Sequence, residues 1–454
     1  MQHDRTTDWA ADAVFYHVYP LGTCGAPERN DFTAPPVPRL AELHAWIPHL
    51  RELGVTALYL GPLFESTAHG YDTADYGRVD RRLGENRDLA ALTAALHAAG
   101  IRVVPDGVFH HVGRDFWAFR DLRANGERSE YRDWFVGVDF GRRSPYGDPF
   151  AYEGWRGHYD LVKLNLLNPA VRAHLLGAVR GWVEEFGIDG LRLDVAEDIE
   201  PAFLRELAAF CRGLRPDFWL LGEAIHGDYR RLAAPGMLDS ATNYELYKGL
   251  YSSHNDRNYH EVAFSLNRQF GEGGIYRGLP LYAFADNHDV DRVATRLRDP
   301  AHLYPLHALL FTVPGVPSVY CGSEWGIAGA KARGDDRPLR PRLRWPGAPR
   351  DAPHPDLARA IARFARIRHD RRALRRGAYR PLHVAPEQLA FARELDGETV
   401  VVAVNAAAEP ATLDLPVAGA RAFVDQLDPG ARFTPRGGRL RVDVPPRWAR
   451  ILAR

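Results

Sequence analysis

The chain has 454 residues, 46% of them apolar and 26% charged, and its 58 basic and 58 acidic side chains give a formal net charge of zero. That length buries a large core and suits more than one domain. The balanced charge argues against nucleic acid or an anionic membrane as partner, and no apolar run approaches transmembrane length. Cys24, Cys211 and Cys321 are odd in number, far apart and without C-x-x-C spacing. They read as reduced thiols in a cytoplasmic chain. Met1 to Trp9 carries no apolar signal core.

The first strand is expected over Ala13–Tyr19, stopped by Pro20, and a Gly- and Pro-rich loop follows to Pro38. Leu40, Leu43, Ile47, Leu50 and Leu53 have helical spacing through Pro48. A buried strand spans Val55–Leu60, and a long polar loop carries Tyr71 and Asp72. Helix Asn86–Ala99 stops at Gly100, and strand Ile101–Phe109 brings Asp106 and His111. From Val112 to Asn165 no period is legible, which marks a functional excursion or an inserted domain.

The rhythm resumes at Asn168-Pro169, a cap with proline in the first helical position. Strand Ile188–Leu193 follows, ending in Arg192 and Asp194, two residues apart and so on one side of the strand. That pair alone reads equally as a structural ion pair or as a carboxylate kept ionised for attack. Helix Pro201–Arg212 precedes strand Phe218–Leu221 and Glu223, and further strands are expected over Met237–Asn243, Leu281–Ala285 and Val316–Tyr320. The helical stretch after Asn243 is poorly defined. Helix Pro355–Arg371 then gives way to short strands at Leu389–Arg393, Thr399–Asn405, Ala411–Leu415 and Leu440–Val444.

Eight strands alternating with helices predict a (β/α)8 barrel, whose chemistry sits at the C-terminal strand ends. The expected division is a barrel over 1–111 and 166–374, an inserted domain over 112–165 and an antiparallel β-sandwich over 375–454. No G-x-G-x-x-G or Walker loop follows a strand, which argues against a dinucleotide fold. Three strand ends each deliver a carboxylate, Asp194, Glu223 and Asp289, together with His111, Arg192 and His288. Such convergence is a far less probable accident than any one ion pair.

The chain resembles the α-amylase superfamily of glycoside hydrolases over nearly its whole length. Asp106–His111, Gly190–Ala196, Gly222-Glu223 and Phe284–Asp289 resemble its four main motifs, and Gly54–Pro62, Val162–Asn165 and Gly315–Glu324 its secondary ones. Val162–Asn165, His69–Thr73 and Tyr131–Phe135 are most similar to the neopullulanase, cyclomaltodextrinase and maltogenic amylase group. The resemblance implies Asp194 as nucleophile, Glu223 as general acid/base and Asp289 as transition-state stabiliser. It further implies that Tyr71, Asp72, His111, Arg192 and His288 line the sugar pocket, with Lys163, His226 and Arg292 as further substrate contacts.

The chain also departs from that pattern. His110 stands where many relatives have a calcium-binding asparagine, and the calcium loop after the first strand is absent, so no cofactor and no metal are expected. Ile225 replaces a frequent tryptophan, for which Tyr152, Trp155, Tyr247 or Trp325 would have to compensate. The N-terminal dimerisation domain of those relatives is missing, which points to a monomer. The expected substrate is a short or cyclic α-glucan, a cyclic maltosyl-maltose tetrasaccharide included. A maltose isomerase such as trehalose synthase, or another transglycosylase, uses the same residues, and an inactive interaction protein on this fold is the third alternative. Linkage and chain length depend on the loops Gly22–Pro38, Val112–Asn165 and Trp325–Pro349.

Overall fold

The structure, a computed structural model, describes residues 9–344 and 352–454. The first eight residues, read for a leader, and the end of the Trp325–Pro349 loop lie outside them. Eight parallel strands form the central sheet: β1 (Phe15–Val18), β2 (Ala57–Leu60), β3 (Arg102–Gly107), β4 (Gly190–Leu193), β5 (Trp219–Gly222), β6 (Ser240–Ala241), β7 (Tyr282–Phe284) and β8 (Val316–Tyr320). β1 lies between β2 and β8, and a parallel bridge from Thr242 to Tyr282 brings β6 against β7 to close the ring. The expected barrel is therefore present, with strands shorter than the apolar runs that announce them.

Alternation along these strands sorts the side chains into two cores. Outward-facing Leu58, Val103, Leu191, Leu193 and Leu220 join the large core under the helices, whereas Phe15, Tyr59, Val104, Trp219, Leu221, Tyr282 and Phe284 fill the barrel. Gly190 begins β4 because Trp219 occupies its layer; a Cβ there would meet the Trp219 carbonyl oxygen at 2.4 Å. One step further along, the inward positions turn polar, and this change of character creates the site.

Local signals explain most helices. Glu85 and Asp88 form a reciprocal capping box at Asn86–Ala98, and the Asn168 side chain accepts from Ala170 N–H before Pro169–Gly181. Gly187, at φ +68°, ends that helical run just before β4. The helix expected over Leu40–Gly54 is instead a 3-10 segment, Arg39–Trp46, followed by a short α-helix, Ile47–Glu52. Pro48 lacks the N–H that a continuous helix would need there, so it sits in the first turn of the second piece. The poorly defined stretch after Asn243 forms two helices, Tyr244–Asn255 and Tyr259–Phe270.

The excursion between β3 and β4 carries a helix, Trp117–Asn125, and a three-stranded antiparallel sheet of His111–Gly113, Gly154–Trp155 and His158–Lys163. After helix Leu357–Asp370 the chain forms a six-stranded antiparallel sheet facing a two-stranded antiparallel sheet of Ala411–Pro416 and Arg439–Val444. Val401, Ala403, Leu413, Leu415, Val442 and Leu452 are buried between them, as a β-sandwich requires. Among the described residues no helix is long and apolar enough to cross a membrane.

Buried Arg393 fastens the sandwich to the barrel, and buried Arg368 braces the barrel's own last helices. Arg368 donates to the Phe311 and Leu374 carbonyl oxygens at 3.1 and 3.0 Å, and Arg393 to those of Thr312 and Gly377 at 2.7 and 2.9 Å. The last carbonyls of helix Leu303–Thr312 have no partner within the helix, and a cation at that end also suits its dipole. Arg393→Met leaves buried acceptors unpaired at about 1–3 kcal/mol each. Calorimetry should show a melting temperature lowered by several degrees, and an unchanged one would refute the anchoring role.

Candidate active site

Period-two alternation carries three strands from uncharged to ionisable residues on the inner face: Val104 to Asp106, Gly190 to Arg192 and Asp194, and Leu221 to Glu223. The three carboxylates converge on one guanidinium. Arg192 Nη1 lies 2.9 Å from both Asp106 Oδ1 and Asp194 Oδ1, and Nη2 lies 2.9 Å from Glu223 Oε1. All four side chains are buried. The second Glu223 oxygen accepts from Val195 N–H at 2.8 Å. That bond requires Val195 at φ +40°, ψ +45°, a left-handed conformation costly for a β-branched residue. The turn after Asp194 therefore stores strain while aiming a donor at Glu223.

Other elements complete the wall. Tyr59 on β2 and Tyr71 in the β2–β3 connection each donate to Asp106 Oδ2 at 2.9 Å. Having spent its proton there, Tyr71 accepts from His288 Nε2, which also lies 3.0 Å from Asp289 Oδ2. Arg340, from the connection after β8, donates to Asp289 Oδ1 at 2.9 Å and to the His288 carbonyl at 3.0 Å. His111 Nε2 stands 3.7 Å from Asp194 Oδ2, beyond hydrogen-bond distance. Asp194 thus holds Arg192 with one oxygen and presents the other to the cleft.

Four carboxylates face two guanidinium groups in this space, so the charges do not cancel. Burial pushes Asp194 well above the usual carboxylate range; Arg192 opposes that shift, while Glu223, Asp106 and Asp289 reinforce it. Burial likewise raises Glu223 and Asp106 against the pull of Arg192. The sequence-level expectation that Arg192 simply lowers the pKa of Asp194 is corrected here: one arginine is divided among three acids. Burial also drives His111 and His288 well below their ordinary range, leaving both as neutral hydrogen-bonding groups.

Of the residues expected to contact substrate, Tyr71, His111, Arg192 and His288 surround the carboxylates. The remaining four lie elsewhere in the cleft wall or behind it. Asp72 accepts from Gly70 N–H at 3.1 Å and shapes the loop that presents Tyr71. Lys163 pairs across the excursion sheet with His111, its ammonium 3.4 Å from exposed Glu153. His226 is exposed, its N–H donating to Glu197 at 3.4 Å. Arg292 is buried behind the site, over the Tyr320 ring and donating to the Cys321 carbonyl at 3.0 Å. Tyr152, Tyr247 and Trp325 are core residues, which leaves Trp155, half-buried and 5.9 Å from the His111 ring, as the aromatic beside the cleft.

Tyr59, Arg340 and Tyr244 were missed by sequence reasoning. Tyr59 looks like any apolar strand residue, and Arg340 is one of many arginines in an irregular segment. Tyr244 accepts from Asn287 at 3.0 Å, and a buried hydroxyl of this kind has no sequence signature. At the position where relatives place a calcium ligand, His110 Nδ1 lies 3.3 Å from His111 Nδ1 and burial pushes its pKa down to about 4. A neutral imidazole engaged with another ring does not fit that hard cation. Among the described residues no three His, Cys, Asp or Glu side chains cluster as a metal site.

The chain is similar to known proteins over most of its length. A family model for the α-amylase catalytic domain matches residues 43–340, and one for the maltogenic amylase C-terminal domain matches 379–451. A cyclomaltodextrinase of Bacillus sp is 32% identical over 420 residues, 87% of this chain and 73% of that protein. Neopullulanase 2 of Thermoactinomyces vulgaris is 31% identical over 476 residues, 98% of this chain and 78% of its own length. Among solved structures, the ligand-free cyclic α-maltosyl-(1→6)-maltose hydrolase from Arthrobacter globiformis superposes with a TM-score of 0.82 at 28% identity, covering 99% of both chains. The chain belongs to the α-amylase family of hydrolases.

Proposed function

We propose that this protein is a retaining glycoside hydrolase that cleaves α-1,4-glucosidic bonds in short or cyclic α-glucans by double displacement. The observation that carries the reading is the anchoring of Asp194 and Glu223 on the two terminal nitrogens of Arg192, each at 2.9 Å. Carboxylates sharing one guanidinium are held close, as a nucleophile and acid separated by about 5–5.5 Å require. Inverting chemistry needs a wider gap for water.

In the first step the free Asp194 oxygen attacks the anomeric carbon while Glu223 gives its proton to the departing oxygen. In the second, Glu223 takes a proton from water, which displaces Asp194. Asp289 faces the cleft as a fixed anion for the oxocarbenium-like transition state, oriented by Arg340 and His288. The excess of buried carboxylate supports this assignment, since it keeps a proton in the cluster near neutral pH. Among substrates, the full-length likeness to the Arthrobacter hydrolase favours a cyclic maltosyl-maltose tetrasaccharide. The reading includes no required calcium, because His110 replaces an oxygen ligand, and places the protein in the cytoplasm as a monomer, its three cysteines free and buried.

Three measurements test it. With maltooligosaccharides, cyclodextrins, pullulan, starch and the branched cyclic tetrasaccharide as substrates, NMR of the preferred one should show the α-anomer first; initial β-anomer would overturn retention. A chelator should leave the melting temperature in place, and a large drop would restore calcium to the protein. Asp194→Asn should lower kcat by about 10⁴-fold. The same variant should also melt higher than the wild type at neutral pH. Because folding raises the Asp194 pKa, that residue's contribution to stability is complete below the ordinary value of 3.8 and is lost as pH rises through the raised value. The gain from asparagine should accordingly fade on acidification.

A further inference from the structure

The tip of the excursion between β3 and β4 is tied to the site by Arg156 and Trp155. Trp155 and His158 pair across a hairpin whose two turn residues, Arg156 and Gly157, have φ of +47° and +86°. A two-residue turn with both φ values positive normally takes Asn-Gly, and arginine is disfavoured at its first position. Here the arginine reaches across the cleft rim. Its Nη2 lies 3.0 Å from Glu197 Oε1 and 3.1 Å from Asp198 Oδ2, and its guanidinium sits over the Trp155 ring at 5.3 Å. The Trp155 indole N–H donates to Asp198 Oδ2 at 3.0 Å. The other Glu197 oxygen accepts from Ile225 and His226 N–H at 3.2 and 3.4 Å.

Three segments are thereby joined: the hairpin tip, the strained turn after Asp194 and the loop after Glu223. Because Glu223, read as the acid, gives its proton to the departing oxygen, the loop that follows it, and with it this junction, is assigned to the leaving-group side of the cleft. Glu197 and Asp198 are engaged by the protein itself, and Arg156 and His158 lie against the Trp155 ring, so the remaining exposed part of that half-buried ring is the surface that the junction offers to a sugar.

We propose that the Arg156–Glu197 pair is a strap that fixes Trp155 as the wall against which the leaving-group glucosyl unit packs. The inference rests on the reading of Glu223 as the acid. Arg156 is a positioning residue: it acts through Trp155, whose apolar face suits the C–H face of a glucose ring. An ion pair this exposed adds little to stability, so its loss leaves the fold intact.

Two substrates separate the possibilities. Maltohexaose carries sugar units on the leaving-group side, whereas α-maltosyl fluoride carries only fluoride there. Arg156→Asn supplies the better turn residue and removes the strap, so its melting temperature should not fall. Its kcat/KM on maltohexaose should drop about tenfold, mainly through KM, while that on α-maltosyl fluoride stays within about twofold. Glu197→Gln, which keeps an acceptor for the two backbone N–H groups, should behave likewise, and the double variant should lose no more than either single one. Equal losses on both substrates, or none on maltohexaose, would overturn the strap while leaving the hydrolase reading in place. A wild-type protein that turns over neither substrate would overturn the hydrolase reading and the strap with it.

Discussion

Everything at the mouth of the barrel depends on one buried cation. Arg192 stands in a layer where Asp106, Asp194 and Glu223 would otherwise repel one another out of reach of water. An arginine suits the task better than a lysine would, because its planar fork presents separate nitrogens to separate acids and remains charged in a dry site. Compensation is deliberately incomplete in chemical terms. A guanidinium for each acid would leave every carboxylate ionised, and none would retain a proton to donate.

The surrounding structure absorbs the consequences. Tyr59 and Tyr71 cover Asp106 with hydroxyl donors, so this third carboxylate is held apart from Asp194 and Glu223 and orients Arg192. Asp289 has its own arginine and its own histidine. The unfavourable turn at Val195 belongs to the same arrangement, since the strain there sets a backbone N–H against Glu223. Below the charged layer, Phe15, Trp219 and Tyr282 pack the barrel with aromatic rings and make a rigid, apolar floor. Polar strain above therefore rests on dense packing beneath.

Much of this was legible from residue order. The strands announced themselves as apolar runs, and alternation past their ends turns Asp194 and Glu223 inward, whereas Asp289, in the connection after β7, is placed by Arg340 and His288. Illegible features share a physical cause: their meaning comes from contacts distant in sequence. Arg340 gains its place only when the connection after β8 folds back onto β7, and Arg292 looked equally suitable until its guanidinium was found over Tyr320. The helix Trp117–Asn125 escaped notice within a segment whose aromatics and charges obscure its period. Strands Ala378–Val384 and Trp448–Ala453 are interrupted by arginines and, in the first, by a proline at a shift of register, which hides their alternation.

The way the barrel closes has a bearing on how the chain matures. β1 completes its pairing only when β8 arrives, about 300 residues later in the sequence, and the end of helix Leu303–Thr312 is capped by a side chain from the sandwich beyond it. During synthesis the earliest strand must wait with an open edge, beside an apolar interior, until most of the chain has left the ribosome. The sandwich then braces the closed barrel from outside: Arg393 caps the helix that leads into β8, so a truncation within the sandwich removes a partner of the barrel while sparing every residue of the site.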